Sequence, residues 1–487
     1  MTTATVTAPD AAPASDRASF DGTEHALLLD LLALPTAGPL EGVPADRVRL
    51  WEVQRRYADA AARLGFVTVS HSAPDPSWAH DALTPASVVR AADADPGFLA
   101  CQPSLVLRLG PERGRARTVM FNVHLDTVAG DQPAGFVDGR FLGRGAIDAK
   151  GPAVALLSGI RAALAADPLL TRRITVLIQA VSGEEGGAMG VFGTRPLIAA
   201  GHYGRLNIFC EPTGRRVLTR STAATTARIT VSGEDAIDDA PAAGHNAGVL
   251  LGHLGAHLAR DLPAATAEGQ VCVAGLQTGP LHNKVYGTGQ LLVNCSYGRS
   301  DDGTRLRTAL ENVVRAGAAD FRRRYADVPL LRRTAADAER LVGVEWLKTG
   351  LPVLRSDDHW AEALLTERVG LARWPSDEPA FTCDAIWADG LPGAFTAVYG
   401  PGALDTNNAH AEGEFADLAE LEGYAADIGR LLTVFADATA DFTSDLPTDF
   451  SSGPLSDSLS GPLSDLSAAA AARTAACDHL PVDEEDS

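Results

Sequence analysis

Two apolar runs with a helix-forming stretch between them constrain this chain more than any other feature. TVMFNVHLD (118–126) and RITVLIQAV (173–181) have the length and continuous apolarity of strands buried on both faces. Between them AKGPAVALLSGIRAALA (149–165) reads as a helix that follows a glycine-rich turn. Another strand is expected near 395–399, and EGEFADLAELEGYAADIGRLLTVFADAT (412–439) carries apolar residues at helical spacing. Strands alternating with helices predict an α/β fold, a mainly parallel sheet with helices on both faces.

The segment from about 218 to 350 has a different pattern. TARITVSG and GQLLVNCSYG alternate as strands of a half-exposed sheet do, and two amphipathic helical stretches accompany them. The strand-helix-strand-strand-helix-strand order predicts a ferredoxin-like α+β unit inserted into the first domain. With 487 residues, more than one core is expected. The predicted division is 21–217 and 351–440 for the two parts of the first domain, with 218–350 as the insertion. Residues 1–20 and 441–487 are rich in Ala, Thr, Ser, Pro, Gly and Asp, with SGPLSD occurring twice, and are expected to be disordered.

The formal net charge of −21 argues against a nucleic-acid or anionic-membrane partner, which would require a basic face. No uninterrupted apolar run reaches about 18 residues, and the N-terminus lacks the basic and apolar regions of a secretory signal. A cytoplasmic protein is expected. The six cysteines are dispersed singly, without a CxxC pair.

The ionisable residues at strand ends and turns carry the chemistry. HLD supplies His124 and Asp126, GRGAIDAKG supplies Asp148, GEEGG supplies Glu184 and Glu185, CEPTG supplies Glu211, and NNAHAEGEF supplies His410. In an open parallel sheet the carboxyl ends of the strands share one edge, where ligands bind. Taken singly, each motif is an ordinary strand end, turn or surface loop. Together, two imidazoles and several carboxylates without a thiolate suit a borderline-hard dication: Zn²⁺ first, with Co²⁺ or Mn²⁺ as alternatives. Asp126 lies two residues after His124, on the same side of an extended chain, and could orient that imidazole.

The order His-x-Asp, Asp in GRGAIDAKG, Glu-Glu, EPT and a late Ala-His before a helix resembles the M20 family of metallopeptidases and deacylases. GRGAIDAKGP is especially similar to the acyl-lysine and acyl-ornithine deacetylase branch, and the resemblance runs from about residue 22 to 438. It implies a three-layer α/β/α zinc-peptidase-like catalytic domain with an inserted ferredoxin-like lid through which two copies dimerise. It implies two Zn²⁺ ions bridged by Asp148, one completed by His124 and Glu211 and the other by Glu185 and His410. Glu184 would be the general base, Asp126 a support for His124, and Lys150 part of the bridging loop. The implied activity is hydrolysis of the amide bond of an N-acyl amino acid or short peptidyl precursor by metal-activated water.

The insertion departs from the family pattern. In GEDAIDDAPAAGHNAG, Gly233, Pro241, Asn246 and Ala247 match, but Ile237 stands where the family has a lid histidine that stabilises the oxyanion in the partner's site. Ser296 stands where several members carry a carboxylate-binding arginine, with Arg299 three residues on as a replacement candidate. Asn283 matches a lid asparagine near substrate; His282, His245, Asp384 and Gly402 are further candidates for the substrate site. His253 and His257 are spaced i, i+4, a spacing able to bind metal, but no third ligand is near in sequence and a packed helix face is the better reading. Loss of the histidine and arginine with the metal set intact leaves a second function open, a biosynthetic enzyme on this scaffold performing amide formation, acyl transfer or a lyase step.

Overall fold

The strands Thr118–His124 and Thr175–Val181 pair in parallel, from Thr118 opposite Thr175 to His124 opposite Val181. In this computed structural model, which describes residues 19–265 and 269–442, they form the middle of a six-stranded sheet. Its order is Val67–Ser72, Ser104–Leu109, Thr175–Val181, Thr118–His124, Leu206–Phe209 and Phe395–Val398. The last four run parallel, whereas Ser104–Leu109 is antiparallel to both its neighbours, so the sheet is mixed. The helix expected at 149–165 spans Lys150–Ala166 and forms the crossover between the two central strands.

Alternation along Thr118–His124 divides the core. Val119, Phe121 and Val123 pack with residues from Gly22–Leu32, Leu50–Ala62, Lys150–Ala166 and Leu418–Ala438. Met120 faces the other way and meets Ile198 of the short helix Thr194–Ala199 together with Cys383 and Ala385. The two helical layers are therefore unequal, and His124, in register with Met120 and Asn122, points to the thinner side.

The helix expected over 412–439 begins only at Leu418. Phe415–Asp417 is instead a short strand against Arg140–Leu142. Order begins earlier and ends later than the predicted tails allow. Phe20 is 8% exposed and packs beside Phe141, and the Phe442 carbonyl accepts a hydrogen bond from Arg117 Nε at 2.8 Å. The remaining tail residues, 1–18 and 443–487, lie outside the described residues.

Between 218 and 350 lies a second sheet, ordered Val271–Gln277, Thr288–Tyr297, Ala223–Ser232 and Val342–Lys348, with every neighbouring pair antiparallel. Two helices, Ala247–Asp261 and Ser300–Tyr325, pack Leu250, Leu254, Leu310 and Phe321 into its core. This is a ferredoxin-like arrangement. A further helix not anticipated from the sequence, Arg332–Leu341, precedes the last strand. Met189 and Ile386, from outside the segment, pack into the same core. Among the described residues no helix is long and apolar enough to cross a membrane.

Gly159 sets the distance between the two longest helices of the thicker layer. A Cβ there would lie 2.5 Å from the Ala425 carbonyl oxygen and 2.8 Å from Ile428 Cβ. Gly159→Ala should therefore lose about 1–3 kcal/mol to overpacking even though alanine is the better helix former by about 1 kcal/mol. Urea unfolding measures the balance; a more stable variant would refute this account of the packing.

Candidate metal centre

Parallel strands bring their carboxyl ends to one edge, and the predicted ligands follow those ends directly. His124 closes Thr118–His124; Glu184 and Glu185 follow Thr175–Val181; Glu211 follows Leu206–Phe209. Asp148 sits in the turn before Lys150–Ala166, and its peptide bond to Ala149 is cis. His410 arrives from the loop beyond Phe395–Val398. That loop is not the start of a helix, and His410 itself has φ +62°.

Asp148 joins the two histidines. Its Oδ1 lies 2.7 Å from His124 Nε2 and its Oδ2 lies 3.0 Å from His410 Nε2. Glu211 Oε2 stands 3.8 Å from His124 Nε2, and Glu185 Oε1 stands 3.1 Å from His410 Nε2. Two triads result, His124–Asp148–Glu211 and His410–Asp148–Glu185, each with donor atoms within 4.8 Å of one another. They share the Asp148 carboxylate. His124 and all three carboxylates are buried, while His410 is about half exposed.

The surroundings fix this geometry. His124 Nδ1 lies 3.0 Å from the Asp126 backbone carbonyl, so that contact orients the ring. The Asp126 side chain does something the sequence did not suggest. Its Oδ2 accepts hydrogen bonds from the backbone N–H groups of Gly183 at 2.9 Å and Glu185 at 3.1 Å, anchoring the loop that carries both glutamates. Gly183, Gly186 and Gly187 adopt φ of +75°, +65° and +74°, which lets this short loop aim adjacent carboxylates into one cleft. A side chain at Gly183 would strike the Phe192 ring.

Glu414 was missed from sequence because it fell inside a segment read as helix. Its Oε1 accepts from the N–H groups of Ile147 and Asp148 at 3.1 and 3.3 Å, while Oε2 takes a 2.7 Å salt bridge from Arg144. Lys150 is buried beside it and donates to the Leu34 carbonyl at 3.0 Å; burial lowers its ammonium to about 7. Both residues brace the turn that presents Asp148.

The electrostatics call for cations. Burial pushes Glu184 well above the ordinary carboxylate range, with the Glu185 charge adding to it, and raises Glu211 to about 8. Burial also raises Glu185, and the hydrogen bond from His410 offsets part of that rise. Hydrogen bonds to Asp148 and Glu185 raise His410 to about 10. Against the burial that would raise it, hydrogen bonds from His124 and His410 hold Asp148 low. An excess of buried carboxylates gathered around two imidazoles fits divalent metal ions held by one triad each.

The substrate candidates scatter. Asp384 is fully buried and hydrogen-bonded to Thr194 Oγ1, close enough to the centre for its charge to help raise Glu184 and Glu211. Gly402, at φ +60°, leaves room for Ile147 and Asn407 beneath the bridging turn, which gives it a packing role. Asn283 and His282 are exposed in the turn leading to Lys284–Val285. Arg299 is exposed and pairs with Asp301 at 3.4 Å, directed along its own helix and not into a cleft. His245 is buried, with Nδ1 accepting from the Glu234 N–H at 2.9 Å and Nε2 3.0 Å from Asp337, which ties it into the second unit.

Because Glu211 and His410 hold protons near neutrality in the metal-free protein, metal must displace them. Zinc binding is expected to release protons, and the apparent affinity should rise with pH through about 8 and on towards about 10. Calorimetry in buffers of different ionisation enthalpy counts those protons; affinity independent of pH between about 6 and 9 would sink the argument.

Comparison with known proteins identifies the family and the fold. Residues 120–433 match the model of peptidase family M20/M25/M40. No curated protein matches. Among solved structures, a tripeptidase from Staphylococcus aureus is 13% identical, with 85% of this chain and 98% of that one covered, at a TM-score of 0.61. An M20 family metallo-carboxypeptidase from Sulfolobus solfataricus is 13% identical over 86% and 100% of the two chains, at 0.59. The dipeptidase Dug1p from Saccharomyces cerevisiae is 12% identical over 85% and 96%, at 0.54. With most of its length matched by the family model, this chain belongs to peptidase family M20/M25/M40.

Proposed function

We propose that this protein is a metal-dependent hydrolase of the amide bond of an N-acyl amino acid or a short peptide-like substrate, using two Zn²⁺ ions. The observation that carries the reading is Asp148, whose two carboxylate oxygens reach histidines of two different triads. One ion would be held by His124, Asp148 and Glu211, the other by His410, Asp148 and Glu185. Ions bound there supply Lewis acidity towards the amide carbonyl and lower the pKa of water.

The chain's own residues supply the rest. Glu184 lies beside Glu185 on the anchored loop, with its ligand atom within 4.8 Å of those of His124 and Glu185; because it does not share Asp148 with the two histidines, we assign its carboxylate to proton transfer. Its raised basicity suits a group that takes a proton from water and returns it to the leaving amine. Asp126 holds the loop so that Glu184 keeps this position. Segment 218–350 is proposed as the lid and as the surface for homodimerisation, a reading supported by the exposed Ile237, Leu276 and Leu281.

A second reading rests on that segment. Ile237 is 61% exposed and offers no hydrogen-bond donor from its side chain, and Ser296 Oγ is engaged by the Gln270 N–H at 2.8 Å. Non-hydrolytic chemistry on the same scaffold would need neither an oxyanion donor nor a carboxylate clamp there. Metal-loaded protein incubated with N-acetyl and N-succinyl amino acids and dipeptides separates the two. Release of free amine supports hydrolysis, and no release across the panel with both metals bound supports the alternative.

Glu184→Gln should keep both zinc ions while kcat falls by about 10²–10⁴-fold, the usual contribution of a positioned acid–base group. Retention of most activity would remove Glu184 from that role.

A further inference from the structure

The insertion's two main helices carry a second cluster of metal-ligating groups, outside the centre described above. His253 and His257 stand one turn apart on Ala247–Asp261, with ring centroids 4.6 Å apart. The third group, which sequence spacing could not reveal, comes from the neighbouring helix. Asp320 Oδ2 lies 3.4 Å from His253 Nε2 and 3.2 Å from His257 Nε2. Gly317 lets the helices approach this closely, since a Cβ there would sit 2.9 Å from Leu254 Cδ2 and 3.4 Å from His257 Cγ.

Two features point to a cation. Zinc–nitrogen and zinc–oxygen bonds of about 2.0–2.1 Å at tetrahedral angles place neighbouring ligand atoms about 3.3 Å apart, which the two nitrogen–oxygen separations match. His253 Nε2 is buried and makes no hydrogen bond, although it faces the carboxylate.

The surrounding charges can accommodate an ion. Arg323 holds Asp320 Oδ1 at 2.8 Å and can remain there. Arg324, at 2.7 Å from Oδ2, is exposed and would have to release that oxygen. Arg260 donates to His257 Nδ1 at 2.9 Å and would likewise have to release it, while Asp261 lies 3.5 Å from the same nitrogen. With Nε2 on a metal, Nδ1 carries the proton, and Asp261 becomes the acceptor that fixes the ring.

We infer that His253, His257 and Asp320 form a third divalent-metal site, a His₂Asp site for Zn²⁺ that staples the two insertion helices together. Water would complete the coordination. The site lies apart from the proposed catalytic pair and does not depend on it.

The test is a difference in zinc content. Full-length wild type, His253→Gln, His257→Gln and Asp320→Asn are stripped with a chelator, reloaded with Zn²⁺, desalted and assayed by atomic emission. Each variant is expected to hold one zinc fewer per chain than wild type, whatever number the catalytic centre takes. Zinc should also raise the melting temperature of wild type more than that of the variants. Circular dichroism identifies any variant that has not folded, and the count is then read from the others. Equal zinc content in wild type and the folded variants would overturn the inference.

Discussion

The Asp148 carboxylate is the interaction on which the site depends. It joins His124, at the end of a central strand, to His410, which lies 262 residues beyond Asp148 itself. A buried carboxylate between two imidazoles is stable only if its position is held from behind. Glu414 does so by accepting the N–H groups of Ile147 and Asp148 while Arg144 balances its own charge. The turn, the first strand and the late loop are thus one electrostatic unit.

A second unit of the same kind sits opposite. Asp126 accepts two backbone N–H groups from the loop bearing Glu184 and Glu185, and the left-handed glycines around that loop allow the close turn. Adjacent carboxylates on an extended strand would point apart. On this turn they divide the work proposed here, one completing a metal site and the other facing substrate. Their mutual repulsion, which contributes to the raised pKa of Glu184, is relieved when cations occupy the centre.

The thinner helical layer leaves this edge accessible. Helices crowd the face presented by Val119, Phe121 and Val123, whereas the other face packs against Ile198 of Thr194–Ala199 and the segment around Asp384. Met189, a few residues beyond Glu185, packs into the insertion's core. The loop carrying Glu184 and Glu185 and the proposed lid are therefore in direct contact, which offers a physical route by which lid position and loop geometry can influence each other.

The strands, the crossover helix and the ligand residue types were legible in the sequence because each is encoded locally. Continuous apolar runs mark buried strands, and parallel strands place their carboxyl ends together whatever the loops do. Local patterns also misled: residues 412–417 look helical, yet Phe415–Asp417 pairs as a strand, which hid Glu414. The burial of Asp384, the exposure of Ile237, the grip of Asp126 on the glutamate loop and the meeting of Asp320 with His253 were decided only by tertiary structure. They depend on how close separate elements come, and that distance is set by packing at positions such as Gly159 and Gly317, where a single missing Cβ lets one helix settle against the next.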